Sequence, residues 1–330
     1  MKIKSLLALA LAAGLAAPAL AGDPDAILAA ENLEFEAPKL VVGDPAPSLS
    51  ITNWVKGEEI SSFQIGHTYV VEFWATWCGP CIRGMPHLTE LQSEHEGDVT
   101  VIGVNIWERD AGATRIGRVT EWVEAREDMG YTVAIDGNKK MEEDWMAPAG
   151  QNGIPAAFIV DGEGTIAWIG HPGQMDEPLA EIASGEWDLD SAAAGYVGEM
   201  KSKAWLNHLY GLFQAKEWAH AYEVAGALLE RDWSEDSTTL NQISWQVLTY
   251  EAIEERDIAF ATRAAERACE LTDYENGDIL DTLAKAYYMD GKVAQALEVM
   301  DKAIEHAQTP EQKEAYEATR AEYAAGEDAR

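Results

Sequence analysis

The sequence predicts an α/β sheet domain followed by an all-α helical array. Between about residues 40 and 186, β-branched and aromatic runs alternate with helical periodicity in the order β-α-β-α-β-β. From about residue 200 the strand-like runs stop, and Ala, Leu, Glu and Lys recur at helical spacing. Those helices also carry an internal repeat.

The elements follow in order. Residues 22–39 are acidic and Ala-rich up to Pro38 and read as an N-terminal arm or linker. Gly43–Pro47 is rich in turn formers and precedes a weak strand at Leu49–Trp54. Thr68–Trp74 is β-branched and aromatic with a single acid, the pattern of a strand buried on both faces. A helix is expected from Cys78 through Ile82, Met85, Leu88 and Leu91, with Pro86 inside it as a kink. Val99–Val104 is the next strand and Arg115–Met129 a helix, followed by strands at Tyr131–Ile135 and Ala156–Val160. Asp161-Gly162-Glu163-Gly164 then turns the chain into Thr165–Ile169 as a hairpin.

After a linker at 187–199, the segment 200–330 reads as helical repeats. Trp205, Trp245 and Leu280 each precede an alanine by sixteen residues (Ala221, Ala261, Ala296), and Leu228, Ala268 and Ala303 follow seven residues later. The anchors are 40 and 35 residues apart, so one connection is the longer. Small residues in this register resemble the tetratricopeptide repeat, whose unit is a helix–turn–helix of about 34 residues. A generic array of helical hairpins is the alternative. Tryptophans 205, 218, 233 and 245 are expected in the repeat core, as is Cys269, a small buried hydrophobe.

Residues 1–21 read as an export signal: Lys2 and Lys4, an apolar run from Leu6, and Ala19-Leu20-Ala21 as a cleavage site. The implied location is outside the cytoplasm, with the periplasm favoured over secretion or an N-terminal anchor. The formal charge of −34 becomes −36 without that leader and is spread over both halves of the chain. Such an anion does not seek phosphate backbones, which excludes nucleic acid as a partner. Apolar residues make up 47% of the chain, too many for a disordered acidic one. The charge reads as a device for solubility, of particular use in a salty medium.

The chemistry sits at Trp77-Cys78-Gly79-Pro80-Cys81. Zinc needs a further ligand pair, and Cys269, alone far along the chain, does not supply one. A structural disulfide is open, although a bridge over so short a loop restrains the unfolded chain little. A redox dithiol fits best. Following a strand, Cys78 would stand at a helix N-terminus, where the dipole and free N–H groups stabilise a thiolate. Cys81, one turn on, would resolve the mixed disulfide, and Pro80 suits the first helical turn. No metal or other cofactor is called for.

Phe73–Cys81 resembles the active-site strand and loop of thioredoxin, and 40–186 as a whole resembles the exported thioredoxin-like proteins of the TlpA and ResA kind. Those proteins carry Gly-Asp-x-Ala-Pro before the first strand, as at Gly43–Pro47, and an extra strand and helix in the middle. The resemblance implies an α/β thioredoxin-like domain, a central mixed sheet flanked by helices. It implies that Pro86 is the family's helix kink. Ile154-Pro155 would be the cis-proline pair that faces the cysteines and holds an extended substrate. It also implies that Glu72 is the buried acid that deprotonates Cys81, with Glu standing where the family keeps Asp. Trp77 would shield and shape the site. Peroxiredoxins share this fold but place a Thr three residues before the reactive Cys; here Thr76 is two before Cys78, which sets that reading aside.

The expected function is an exported thiol–disulfide oxidoreductase working through a Cys78–Cys81 disulfide, with Cys78 attacking, Cys81 resolving and Glu72 relaying a proton. Trp77, Gly79, Pro80, Ile154 and Pro155 would form the substrate surface. The Gly-Pro pair between the cysteines is that of thioredoxin and favours a reductase. Its partners would be a disulfide-bonded protein substrate, a membrane or soluble electron donor, and a protein partner at the repeats. The alternative is a non-enzymatic helical-repeat adaptor that uses the sheet domain as scaffold.

Overall fold

The computed structural model describes residues 23–33 and 35–328; the leader expected at 1–21 lies outside them. The described residues divide into a sheet unit, Phe35–Lys201, and a helical unit that combines 23–33 with 202–328.

The first helix, α1 (Pro24–Ala30), belongs to the helical unit. Asp23 caps it, its Oδ1 accepting from Asp25 N at 3.2 Å, and Pro24 occupies the first turn, where a missing N–H costs nothing. The sheet unit follows, with β1 (Asn53–Lys56), β2 (Thr68–Trp74), α2 (Gly79–Glu94), β3 (Val99–Asn105), α3 (Gly112–Glu124), β4 (Thr132–Ile135), β5 (Ala156–Val160), β6 (Ile166–Gly170) and α4 (Asp176–Ser184). α5 (Leu189–Gln214) begins in the sheet unit and ends in the helical unit, which continues with α6 (Trp218–Glu230), α7 (Ser237–Thr249), α8 (Ile258–Leu271), α9 (Gly277–Met289), α10 (Val293–Glu305) and α11 (Pro310–Asp328).

The sheet order is β1-β4-β3-β2-β5-β6. β2, β3 and β4 run parallel, while β5, β6 and β1 pair antiparallel, so the sheet is mixed as the resemblance implied. β2 lies at the centre, and each of its residues is buried, which is why it reads as an unbroken apolar run rather than an alternation. One face packs Val70, Trp74, Val101, Val133 and Ile159 against Met85, Leu88 and Leu91 of α2, Val119 and Val123 of α3 and Leu179 of α4. The other face packs Val71, Phe73, Ile102, Val104 and Phe158 against Trp145 and Met146, which lie in a π-helical turn (Glu142–Met146).

Several boundaries differ from expectation for local reasons. α3 stops at Glu124, short of Met129, because the chain turns there to bury Met129 fully. The strand expected at 49–54 forms at Asn53–Lys56, while Leu49 and Ile51 pack as loop residues. The linker expected at 187–199 is largely helical. Leu189, Ala193, Tyr196 and Met200 recur at helical spacing on α5 and pack on the sheet core, so the sheet unit extends to Lys201.

In the helical unit, consecutive helices from α7 to α11 pack as neighbours. Asp236, Asp257 and Asn276 cap α7, α8 and α9 through their side chains. The register alanines 221, 261, 268, 296 and 303, with Leu228 and Leu280, are fully buried, as are Trp233 and Cys269. Burial pushes the Cys269 thiol up to about 12, which keeps it an inert hydrophobe. Trp245 corrects the reading of the tryptophans as core: it is 40% exposed, with the Lys285 ammonium 5.8 Å from its ring centroid.

The arm expected at 22–39 is docked in part, not loose. Ile27, Leu28 and Leu33 pack on the helical core, Asp25 pairs with Arg231, and Glu31 accepts from His208 Nε2 and His220 Nε2, each at 2.7 Å. Burial raises the Glu31 carboxyl, but the two histidine bonds outweigh it and leave it below the ordinary range. The bond to Glu31 raises His220. The contribution of this pair is therefore complete only between the ordinary carboxylate and histidine values, about pH 4.3 to 6.5. It is lost as pH rises through the raised His220 value, or falls through the lowered Glu31 value. Amide hydrogen exchange of α1, corrected for intrinsic rate, is expected to be slowest near pH 5.5 and faster by pH 8.5; equal protection at both would show that the histidines do not hold the helix.

Candidate active site

β2 delivers the site. Its last residue, Trp74, is followed by Ala75-Thr76-Trp77, and Cys78 then caps α2 with extended backbone angles of φ −82° and ψ 99°. The Cys78 sulfur accepts from Cys81 N at 3.2 Å, so one of the free N–H groups at the helix start points at it. The two sulfurs form a disulfide with S–S 2.04 Å. Both cysteines are buried, whereas Gly79 and Pro80 are exposed and Trp77 is 50% exposed. Pro86 lies inside α2, where it has no N–H to give.

Opposite the disulfide, the Ile154–Pro155 peptide bond is cis, and the Ile154 carbonyl oxygen lies 3.7 Å from Cys78 Sγ. Trp77, Cys78, Gly79, Pro80, Ile154 and Pro155 therefore sit around one patch. Glu72 does not reach that surface: it is buried in mid-strand, six residues before Cys78, on the face that packs against α2. Burial pushes its carboxyl up to about 8.

Sequence reasoning missed the group that holds the approach to Cys78. Thr76 N and Oγ1 donate to Glu108 Oε1 and Oε2 at 2.6 and 2.8 Å, and Asn105 Nδ2 donates to Oε1 at 2.8 Å. Arg115 Nη2 donates to the Asn105 carbonyl at 2.8 Å. The Trp77 indole donates to the Trp107 carbonyl at 2.8 Å, and Trp107 carries φ +53°, costly for a bulky side chain and tolerated here beside the site. The available signal was Asn105-x-x-Glu108, polar residues closing an apolar strand beside the motif. Among the described residues, no group of three or more His, Cys, Asp or Glu could hold a metal ion.

A disulfide at the N-terminus of a helix, facing a cis-proline at the end of a central strand of a mixed sheet, defines a dithiol exchange site. The comparisons agree. The Redoxin family model matches residues 41–183. FixW of Rhizobium leguminosarum is 30% identical over 154 residues, 46% of this chain and 70% of FixW. The thiol–disulfide oxidoreductase ResA of Bacillus cereus is 30% identical over 129 residues, 39% of this chain and 68% of ResA. A DsbE homologue of Paracoccus denitrificans, a thiol:disulfide interchange protein, is 29% identical over 149 residues, 44% and 70% of the two chains. The chain belongs to the thioredoxin-like redoxin family and is a thiol–disulfide oxidoreductase.

Proposed function

We propose that the protein reduces disulfides in proteins outside the cytoplasm. The observation that carries the reading is the Cys78–Cys81 pair at the α2 N-terminus against Ile154 and cis-Pro155. In the reduced form the Cys78 thiolate, favoured by the helix start, attacks a substrate sulfur. A Cys78–substrate disulfide forms and one substrate thiolate leaves. The Cys81 sulfur then attacks Cys78, the internal disulfide forms, and the second substrate thiolate departs. A dithiol donor, membrane-bound or soluble, returns the two electrons.

Glu72 takes the Cys81 proton in this scheme. A carboxyl that burial raises to about 8 is, once ionised, a stronger proton acceptor than an ordinary surface carboxylate. The exposed faces of Trp77, Gly79 and Pro80, with the backbone of Ile154 and Pro155, receive the substrate chain in an extended form. The relatives named as thiol–disulfide oxidoreductases and interchange proteins support protein disulfides as the substrate class. The export pattern at 1–21 supports a location in the periplasm, and no helix among the described residues is long and apolar enough to cross a membrane.

The helical unit, in this reading, is a tetratricopeptide-like array that selects the partner. Its half-exposed aromatics, among them Tyr210, Trp245 and Tyr250, favour a binding role alongside the redox one. The purified protein, equilibrated in dithiothreitol or glutathione buffers, tests the direction of exchange. A two-electron couple near the thioredoxin value of about −270 mV is expected; one near about −120 mV would make the protein an oxidant. The absence of a reversible couple would leave only the adaptor role.

A further inference from the structure

Ala75, Thr76 and Trp77 join the end of β2 to Cys78, and each of them is tied down. The Ala75 carbonyl accepts from Cys78 N at 3.1 Å, which closes the turn onto α2. Thr76 and Trp77 are held from the segment that follows β3. Register sets this up. Trp74 stands opposite Asn105 in the parallel β2–β3 ladder, and Ile106 N donates to the Trp74 carbonyl at 2.9 Å, so residues 105–108 leave the sheet alongside 75–77.

Within that segment a single carboxylate makes the grip. Glu108 Oε1 accepts from Thr76 N at 2.6 Å and from Asn105 Nδ2 at 2.8 Å, while Oε2 accepts from Thr76 Oγ1 at 2.8 Å. A carboxylate accepts on both oxygens and donates nothing, which suits three converging donors. Asn105 is fully buried and its Oδ1 has no partner, so the bond to Glu108 decides which way the amide faces. Arg115 of α3 anchors the base of the segment through its bond to the Asn105 carbonyl. Trp107, next to Glu108, adopts φ +53°, and its carbonyl accepts from the Trp77 indole at 2.8 Å. A bulky residue keeps that backbone conformation only where its surroundings fix it, and Glu108 is the adjoining anchor. Breaking the Glu108 bonds therefore frees Thr76 and, through the Trp107 carbonyl, the half-exposed Trp77 ring. Cys78 is held by other contacts: it caps α2, its sulfur accepts from Cys81 N, and it faces the Ile154 carbonyl.

We propose that Glu108 is a positioning residue for the substrate, holding Thr76 and Trp77 in the shape that receives an extended chain beside Cys78, and so favouring protein disulfides over small ones. The inference rests on the reading of Trp77 as part of the substrate surface. A surface held ready before binding spares the complex the entropy of ordering it. That gain goes to a substrate that covers Trp77, not to a small disulfide that meets only the sulfur.

The test compares Glu108→Ala, Glu108→Gln and Thr76→Val in the full-length protein without its leader. Single turnovers of the reduced protein would be followed with insulin and with hydroxyethyl disulfide, a small neutral substrate. Glu108→Ala is expected to need about tenfold more insulin for its half-maximal rate, with its limiting rate and its rate on the small disulfide unchanged. Glu108→Gln should stay close to wild type on both, because its amide oxygen can accept from Thr76 N and Asn105 while its amide nitrogen donates to the Thr76 hydroxyl. Thr76→Val keeps the backbone bond and loses the hydroxyl one, and should fall between the two. Wild-type insulin saturation in Glu108→Ala would overturn the inference, and so would an equal loss on both substrates. Exchange of the Trp77 indole hydrogen, read by NMR, separates the clamp from the chemistry. If the wild type left insulin untouched while Glu108→Ala, but not Glu108→Gln, sped that exchange, the hold on Trp77 would stand and the protein-disulfide reading would fall.

Discussion

Cys81→Ser is expected to stop the reaction after its first exchange, with the protein accumulating as a Cys78–substrate mixed disulfide. Cys78 alone caps α2 and faces Ile154 and cis-Pro155, so attack on a substrate does not need the second thiol. Release does. The resolving sulfur sits one helical turn away and acts at an effective concentration far above that of any thiol in solution. Turnover in an insulin reduction assay should fall by at least about 10³-fold. Intact-mass spectrometry should find the adduct, which Cys78→Ser would not form. Wild-type turnover by Cys81→Ser would show that the second cysteine does not resolve the intermediate.

Glu72→Gln is expected to remove the fall in stability that the buried carboxyl imposes on the wild type between about pH 4.3 and pH 8. Burial pushes the folded-state carboxyl up to about 8, against about 4.3 in the unfolded chain. Between those values the folded state holds a proton that the unfolded state has released, so the unfolding free energy falls as pH rises. The full difference is on the order of 5 kcal/mol and is reached above about pH 8. The sign is the reverse of that for a salt-bridged carboxylate such as Glu31, whose contribution is present above its ordinary pKa. Urea unfolding of wild type and Glu72→Gln at pH 5 and pH 9 measures this directly. Parallel pH dependence in the two proteins would mean that Glu72 is not a buried neutral acid.

The redox dithiol was legible because its chemistry is local. Trp77–Cys81 sits within one turn of the helix start, and strand, cap and helix all follow from consecutive residues. Pro155 was placed only by resemblance: nothing in Asn152–Ala157 by itself says that this loop folds back against Cys78. The segment 22–39 reads as an arm or linker from its acidic, Ala-rich composition, and the helix within it, α1, is only seven residues long. So short a helix has little stability of its own, and what holds this one is distant in sequence: Arg231, His208, His220 and an apolar groove. Trp245 went wrong in the opposite way. Its spacing from Trp205 matched the repeat, yet α7 presents it to solvent, and spacing alone does not fix which side of a helix is covered.

The sequence by itself determined the class of each half of the molecule, the central strand, and the cysteine pair at a helix start, because hydrophobic period and capping act over a few residues. Only the tertiary structure decided how far each unit extends, that Glu108 grips Thr76, and that the Trp107 carbonyl holds the Trp77 indole. Those facts depend on strand order and register. Register brings together residues 32 and 30 positions apart, Thr76 with Glu108 and Trp77 with Trp107, and burial sets the chemistry of Glu72.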